Sequence, residues 1–307
     1  MLLEHEANFQ IARPTTGKKI LGVPLFFIAP AVIVLAIFTL FPFIYSVRLS
    51  FLSWNLIKPH LGKPFVGFSN YTALLNTPRF WNSLRVTCIF VIGSTGISVL
   101  SGLGIALLLN QSFRGNTFFR VVFLLPMFIT PVVIGIMWRF LLNPELGILN
   151  YILGLAGIRQ SAWLTNPSLA LFTVIMVDTW EWTPLVVLIS LSGLQSLPSE
   201  PFEAAVVDGA GAWQTFLYIT LPSMKRLLAT VILIRTMDAF RVFDIIFVTT
   251  RGGPGVATEN LSIYGYINAF DYFHVGYAST ITLVLLVMII ATSILYIRTM
   301  KVGDAVG

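Results

Sequence analysis

Long apolar stretches alternate with short polar ones along the chain. Six of the apolar runs are long enough to cross a bilayer, at about 20–49, 84–109, 119–142, 168–192, 227–249 and 276–298. A helix needs about 20 residues to span the hydrocarbon, and within lipid it satisfies its backbone groups inside one segment. The pattern predicts an all-α integral membrane protein with six transmembrane helices. Prolines fall inside two runs: Pro24, Pro30 and Pro42 in the first, Pro126 and Pro131 in the third. Neighbouring helices and water can satisfy the carbonyls they free, so kinked helices are expected there. The longest connection, about 50–83, carries Pro59, Gly62, Pro64, Gly67, Trp54 and Trp81, and its tryptophans suit an interfacial belt. Residues 146–157 read as a short interfacial helix.

Arg13, Lys18 and Lys19 precede the first run, as they would in a signal peptide. A signal core is about 7–15 residues long. This run continues past Phe38 to Val47, so an uncleaved first span is expected. The chain divides into an N-terminal segment 1–19, one transmembrane domain 20–300 and a tail 301–307, with no separate soluble domain and no convincing repeat.

Composition strengthens the membrane reading. The 307 residues are 56% hydrophobic and only 10% charged, with a mean hydropathy of +0.86. Soluble domains carry about 25% charged residues. The net charge of +6 does not imply a nucleic-acid partner, because no basic run is longer than Lys18-Lys19 or Lys225-Arg226. The basic residues report topology better. With the N-terminus inside, Arg13, Lys18, Lys19, Arg114, Arg120, Lys225, Arg226, Arg298 and Lys301 are cytoplasmic, against five in the outer loops. That bias predicts cytoplasmic N- and C-termini. Cys88 is the single cysteine, and His5, His60 and His274 lack metal-ligand spacing, so no metal site is expected. No Gly-x4-Gly-Lys-Ser/Thr loop occurs, which leaves the chain without a phosphate cradle.

The fourth and fifth runs are separated by a polar stretch at about 198–222. Ser199 is a plausible N-cap for a short helix through Glu203 to Val207. The small residues Ala204, Ala205, Gly209, Ala210, Gly211 and Ala212 leave little bulk, so this surface fits closely into a groove. A helix lying on the membrane would favour basic residues, whereas the charges here are Glu200, Glu203 and Asp208.

This stretch resembles the EAA loop of bacterial ABC-importer permeases, whose pattern is Glu-Ala-Ala, three residues, Gly, nine residues, Ile, one residue, Leu-Pro. Glu203, Ala204, Ala205, Gly209, Ile219, Leu221 and Pro222 all fall in register, and Asp208 and Ala210 match the extended form. Leu125-Pro126, Trp138, Phe140, Gly147 to Asn150 and Thr250-Arg251-Gly252-Gly253-Pro254 are similar to the sugar-importer branch, in its shorter six-span form. The resemblance implies a type I importer permease in the bacterial cytoplasmic membrane. It implies a second permease subunit, an ATPase dimer that holds ATP and Mg, and an extracytoplasmic substrate-binding protein. The chain itself would carry no cofactor and no catalytic residue. Glu203, Ala204, Ala205, Asp208, Gly209, Ala210, Leu221 and Pro222 would couple it to the ATPase.

Charges inside the spans are the other candidate chemistry. A charge at mid-bilayer costs about 2.5–3.5 kcal/mol on insertion scales, so it faces the bundle interior or water. The fifth run carries Arg235, Asp238, Arg241 and Asp244 at three-residue spacing, which on one continuous helix makes a slanted ribbon with Arg241 bridging both acids. The fourth run adds Asp178 and Glu181, flanked by Trp180 and Trp182, a combination suited to sugar hydroxyls and the apolar face of a pyranose. These residues are either a substrate path or a structural ion-pair network, with Arg235 the first candidate for the structural role. Tyr264, Tyr266, Asn268 and Tyr272 fit interfacial anchors better than cargo contacts. Cargo is expected to be a mono- or disaccharide or a glycoside, an anionic derivative included. An ion-coupled carrier using the carboxylates as proton sites is the alternative, opposed by the EAA-like loop.

Overall fold

The computed structural model describes residues 22–58, 60 and 62–305. The expected N-terminal segment 1–19 and the last residues of the tail lie outside them. Two units are distinguished, Met1–Arg48 and Leu49–Gly307. The first unit is helical throughout what is described. Helix α1 (Gly22–Leu35) passes through Pro30, widens to a π turn at Ala36–Leu40 and continues as α2 (Phe41–Ser50). Phe27–Ser50 counts as one span, so the prolines of the first run do not break it.

In the second unit α3 (Ser69–Leu75) precedes the long α4 (Pro78–Leu109), which begins ahead of the expected 84 with Pro78 in its first turn. Proline is tolerated there because the first amides of a helix have no internal partner. The other long helices are α8 (Pro167–Gln195) and α15 (Val275–Ala305), close to the predicted runs. Among the described residues there are no strands, only the isolated bridges Leu52–Phe65 and Asn55–His274. The short helix expected at 146–157 is α7 (Ile148–Leu155).

The third run differs from expectation. It is not a kinked helix over 119–142. Instead α5 (Asn116–Leu124) runs into a 3-10 turn at Leu125–Phe128, and α6 (Pro131–Leu141) leaves at 103°. Pro131 forces Thr130 into extended backbone (φ −68°, ψ 142°), and Ile129 is extended as well. With Pro126 already lacking its amide, no helical ladder carries across. Just ahead of the fifth run, at Met224, the backbone bends by 69° where α10 (Ala212–Thr215), a π turn and α11 (Leu221–Ser223) meet α12 (Lys225–Phe240).

Helices α4 and α8 pack on each other along most of their length. The buried face of α4 explains why: Ser94, Ser98 and Gly102 recur at helical spacing, and at Gly102 the backbones come close. One apolar core gathers Phe90, Ile134, Val174, Ile246, Ile263 and Ile281. A second, built on Leu103, Leu109, Leu191 and Leu194, takes in Met224 and Leu228 at the bend into α12.

The start of α4 also holds a long turn. Glu259, 1% exposed, accepts from Arg79 Nε (2.9 Å) and Nη2 (2.5 Å) and from Ser83 Oγ (3.0 Å). Asn82 donates to Val256 O at 2.9 Å, and the Leu261 amide donates to Thr87 Oγ1 at 3.0 Å. The turn starts with Arg251 at φ 51° and Gly252 at φ 88° and contains a cis Gly253–Pro254 bond.

A Cβ at Gly102 would meet Val186 Cβ at 2.6 Å, while one at Gly96 on the same helix meets nothing within 4 Å. Gly102→Val is therefore expected to destabilise the protein by about 1–3 kcal/mol through overpacking. Gly96→Ala should leave thermal unfolding of the detergent-purified protein unchanged or raise it slightly. Equal melting behaviour of the two variants would show that the α4–α8 spacing does not depend on Gly102.

Candidate functional site

Helix α12 stops at Phe240, in the middle of an apolar run that holds neither proline nor glycine. Arg241 sits past its end (φ −93°, ψ 0°), Phe243 departs from helical backbone (φ −135°, ψ −55°), and α13 (Asp244–Thr249) follows as a separate helix. The break frees carbonyls that must find donors. Val242 O receives Asn260 Nδ2 at 2.7 Å, and the same side chain accepts the Ile263 amide at 2.9 Å to cap α14 (Leu261–Tyr266). Asn260 thus fixes the break from 18 residues away.

Arg235 is 0% exposed. Its Nη1 donates to Asp238 Oδ2 at 2.9 Å, and Nη2 donates to Asp178 Oδ2 and to Ser94 Oγ, both at 2.7 Å. Ser94 in turn donates to Asp178 Oδ2. The guanidinium lies 5.5 Å from the Trp182 ring centroid, within cation–π range. One cation therefore ties α12 to α4 and α8, which is the structural role the sequence left open for it.

Beside this lock is a cavity of about 230 Å³. Asp178, Glu181 and Trp182 reach it from one face of α8, Asp238 from the end of α12, Arg241 from the break and Asp244 from the start of α13. Asp178 and Glu181 lie near the middle of α8, half-way along the bundle. Arg241 is 66% exposed at its side chain and lies 3.6 Å from Asp238, an ion-pair distance and not a hydrogen bond.

Two expectations are corrected. The slanted ribbon does not exist as a helical row, because α12 ends before Arg241 and Asp244 opens a separate helix. Arg241 accordingly pairs with Asp238 alone and does not bridge to Asp244, which has no ion pair among the described residues. Trp180 is not beside the acids. It points about 200° round α8 from Trp182, packs edge-on against Trp138 with centroids 5.6 Å apart, and lines a separate apolar cavity with Phe123 and Ile129. Trp182 takes the place expected for it.

The anchors at the far end also sort themselves. Tyr264 is buried and its hydroxyl is 3.1 Å from that of Tyr277, while Asn268 donates to Tyr264 O at 2.8 Å. Tyr266 stacks among Phe243, Phe247 and Phe270, with centroids 4.9–5.2 Å away. Tyr272 accepts from Arg79 Nη1 at 3.1 Å.

The polar stretch folds as its residues indicate. Helix α9 (Glu200–Val207) starts after Ser199, although the Ser199 side chain makes no capping bond. It ends in a Schellman turn: the Gly209 amide donates to Val206 O (3.1 Å) and the Ala210 amide to Ala205 O (2.9 Å), with Gly209 at φ +76°. Ala205 is buried against the rest of the protein, while Glu203, Ala204 and Asp208 are exposed. Val206 and Val207 are 77% and 87% exposed and Trp213 is 69% exposed. Leu221 and Pro222 stand at the end of this segment. They form the single turn α11, which runs on from α10 to the bend at Met224.

Residues 98–299 match the family described as "Binding-protein-dependent transport system inner membrane component". The trehalose/maltose transport system permease protein MalF of Thermococcus litoralis is 37% identical over 238 residues, 77% of this chain and 80% of that protein. The sulfoquinovosyl glycerol transport system permease protein SmoG of Agrobacterium fabrum is 31% identical over 288 residues, 94% of this chain and 92% of that protein. The fold is that of a chain of the bacterial alginate ABC transporter, solved in complex with alginate pentasaccharide-bound periplasmic protein. The TM-score is 0.77 at 21% identity, over 89% of this chain and 92% of that one. With an all-α architecture whose described helices supply four to six membrane spans, in the fold of a type I importer, the chain belongs to the ABC-transporter permeases of the binding-protein-dependent family.

Proposed function

We propose that this permease forms half of the translocation path of an ATP-driven sugar importer in the bacterial cytoplasmic membrane. One observation carries the reading: a span broken at Arg241–Phe243, with Asp238 before it, Asp244 after it and a cavity alongside. Irregular backbone and ionisable side chains at membrane depth are tolerated where they line a water-filled route. A mono- or disaccharide or a glycoside is the cargo class, as relatives named for trehalose, maltose and sulfoquinovosyl glycerol transport support. The cavity is smaller than the roughly 300–1,000 Å³ of a complete small-molecule pocket. A second permease subunit would supply the other wall. Cargo would arrive on an extracytoplasmic binding protein, as in the alginate system.

The α9 turn is the contact to the ATPase subunits, which would hold ATP and Mg. Its exposed face sets Val206, Val207 and Ala204 beside Glu200, Glu203 and Asp208. That is a compact end, partly apolar and carrying three acids, a shape for a groove and not for anionic lipid headgroups. In this orientation both termini are cytoplasmic. The exposed apolar side chains of the long helices, such as Ile92, Leu100 and Phe172, face lipid or the second permease.

Two sets of variants test the reading. Glu203→Lys and Gly209→Trp should abolish sugar uptake by the complete transporter while the permease still inserts, because Gly209 holds a left-handed backbone that other residues adopt at a cost. Normal uptake in both would remove the coupling assignment. Arg241→Ala should assemble normally and lower uptake at least tenfold. Arg235→Ala should instead lose the assembled protein, since it strands Asp178 in the bundle at a cost of about 3–5 kcal/mol. If Arg241→Ala assembles and transports like the parent, the break is not part of the path.

A further inference from the structure

The charges around the cavity are unequal. Asp178, Glu181, Asp238 and Asp244 line it, against one lining guanidinium, that of Arg241. Arg235 stands behind the wall with both terminal nitrogens engaged by Asp178, Ser94 and Asp238. Four acids against these two guanidiniums leave a formal excess of two negative charges. An anionic cargo would have to shed water beside that excess, with Arg241 the one cationic side chain among the lining residues to meet it.

The acceptors are unequal too. Asp178 Oδ2 already receives two donors and Asp238 Oδ2 one. Glu181 is different: it is 2% exposed, it lines the cavity, and its Oε2 has no hydrogen-bond partner among the described residues. A buried acceptor without a donor is costly. A sugar hydroxyl supplies a donor; an anionic derivative has hydroxyls as well, but its sulfonate or phosphate adds charged acceptors beside an acid that already lacks a donor. Trp182 lines the same wall one residue along, and Arg235 holds its ring in place.

We propose that this cavity takes uncharged polyhydroxyl cargo, and that Glu181 sets the choice by accepting a hydroxyl hydrogen from it. The inference rests on the translocation reading above and narrows its cargo class. It excludes the anionic sugar derivatives that the paired arginines of the sequence left open.

The test uses the complete transporter, with its partner subunits and its own binding protein, in proteoliposomes. Uptake of two neutral probes, trehalose and maltose, is compared with uptake of sulfoquinovosyl glycerol, which carries a sulfonate. The parent should import a neutral probe in preference. Glu181→Gln keeps the shape and one acceptor but removes the charge. It should lower the ratio of neutral to anionic uptake about tenfold, the effect of one lost charge-assisted hydrogen bond. Glu181→Asp should restore part of the ratio, and co-purification of the subunits should be unchanged in both. A purely structural Glu181 would lower both kinds of uptake together or reduce the assembled complex, and either result overturns the inference. So does a parent that prefers sulfoquinovosyl glycerol with a ratio that Glu181→Gln does not move. A parent that imports none of the three probes overturns the sugar-import reading itself.

Discussion

A guanidinium sealed inside a membrane bundle needs acceptors, and most of this site follows from where Nη1 and Nη2 of Arg235 find theirs. Its acceptors come from three helices: Asp178 on α8, Ser94 on α4 and Asp238 one turn along on α12. An isolated charge in such a place would be intolerable, so the three helices are obliged to stay together. The consequences reach the cavity. Asp238 is held by its Oδ2, which leaves Oδ1 toward Arg241. Trp182 is held under the guanidinium with its ring at the cavity wall. Glu181, one residue before Trp182, is the buried acid that the lock does not use.

The second constraint is on the backbone. A helix that ends at Phe240 leaves carbonyls without their usual amides, and in a low-dielectric interior those groups need other donors. Asn260 supplies one to Val242 O. Asn260 is itself placed by the turn that Glu259, Arg79, Ser83 and Asn82 pin to the start of α4. The break in the fifth span therefore rests on contacts made at the far end of a different helix. This explains why a polar cluster with no part in the cavity is so completely hydrogen-bonded.

What the sequence disclosed and what it hid divide along physical lines. Long apolar runs, a Gly after a short helix and a patterned polar loop are local signals, and α4, α8, α9 and α15 follow from them. The family resemblance was legible for the same reason, since its pattern lies in one continuous stretch, 203–222. The sharp bend at 125–131 was half legible: Pro126 and Pro131 marked it, but two prolines alone do not distinguish a kink from a 103° reversal. The break at 241–243 was not legible, because the segment Asp238–Phe247 contains no Gly or Pro and the side chain that takes up its freed carbonyl, Asn260, lies 18 residues away. Ser94 went unnoticed because one hydroxyl on a helix full of small polar residues carries no mark of its partner. Trp180 was placed beside the acids by adjacency, whereas helical geometry turns it to the opposite side.

The two constraints together locate the cavity at a seam. On one side α4, α8 and α12 are joined through Arg235. On the other side α13 packs chiefly on α6, where a Cβ at Gly135 would stand 3.1 Å from Val248, and Asn260 fastens the intervening backbone. Helix α12 has 16 residues, about 24 Å of rigid rod at 1.5 Å per residue. The α10–α11 segment leads into it through the bend at Met224. If the α9 turn is where a partner pushes, displacement reaches Asp238 through that rod without being absorbed in a loop, and it ends where the helix ends. The three residues between α12 and α13 are then the first point at which one side can move against the other. A cavity whose acids belong to α8 and α12 on one side and α13 on the other is the part of this fold whose shape such a displacement changes most.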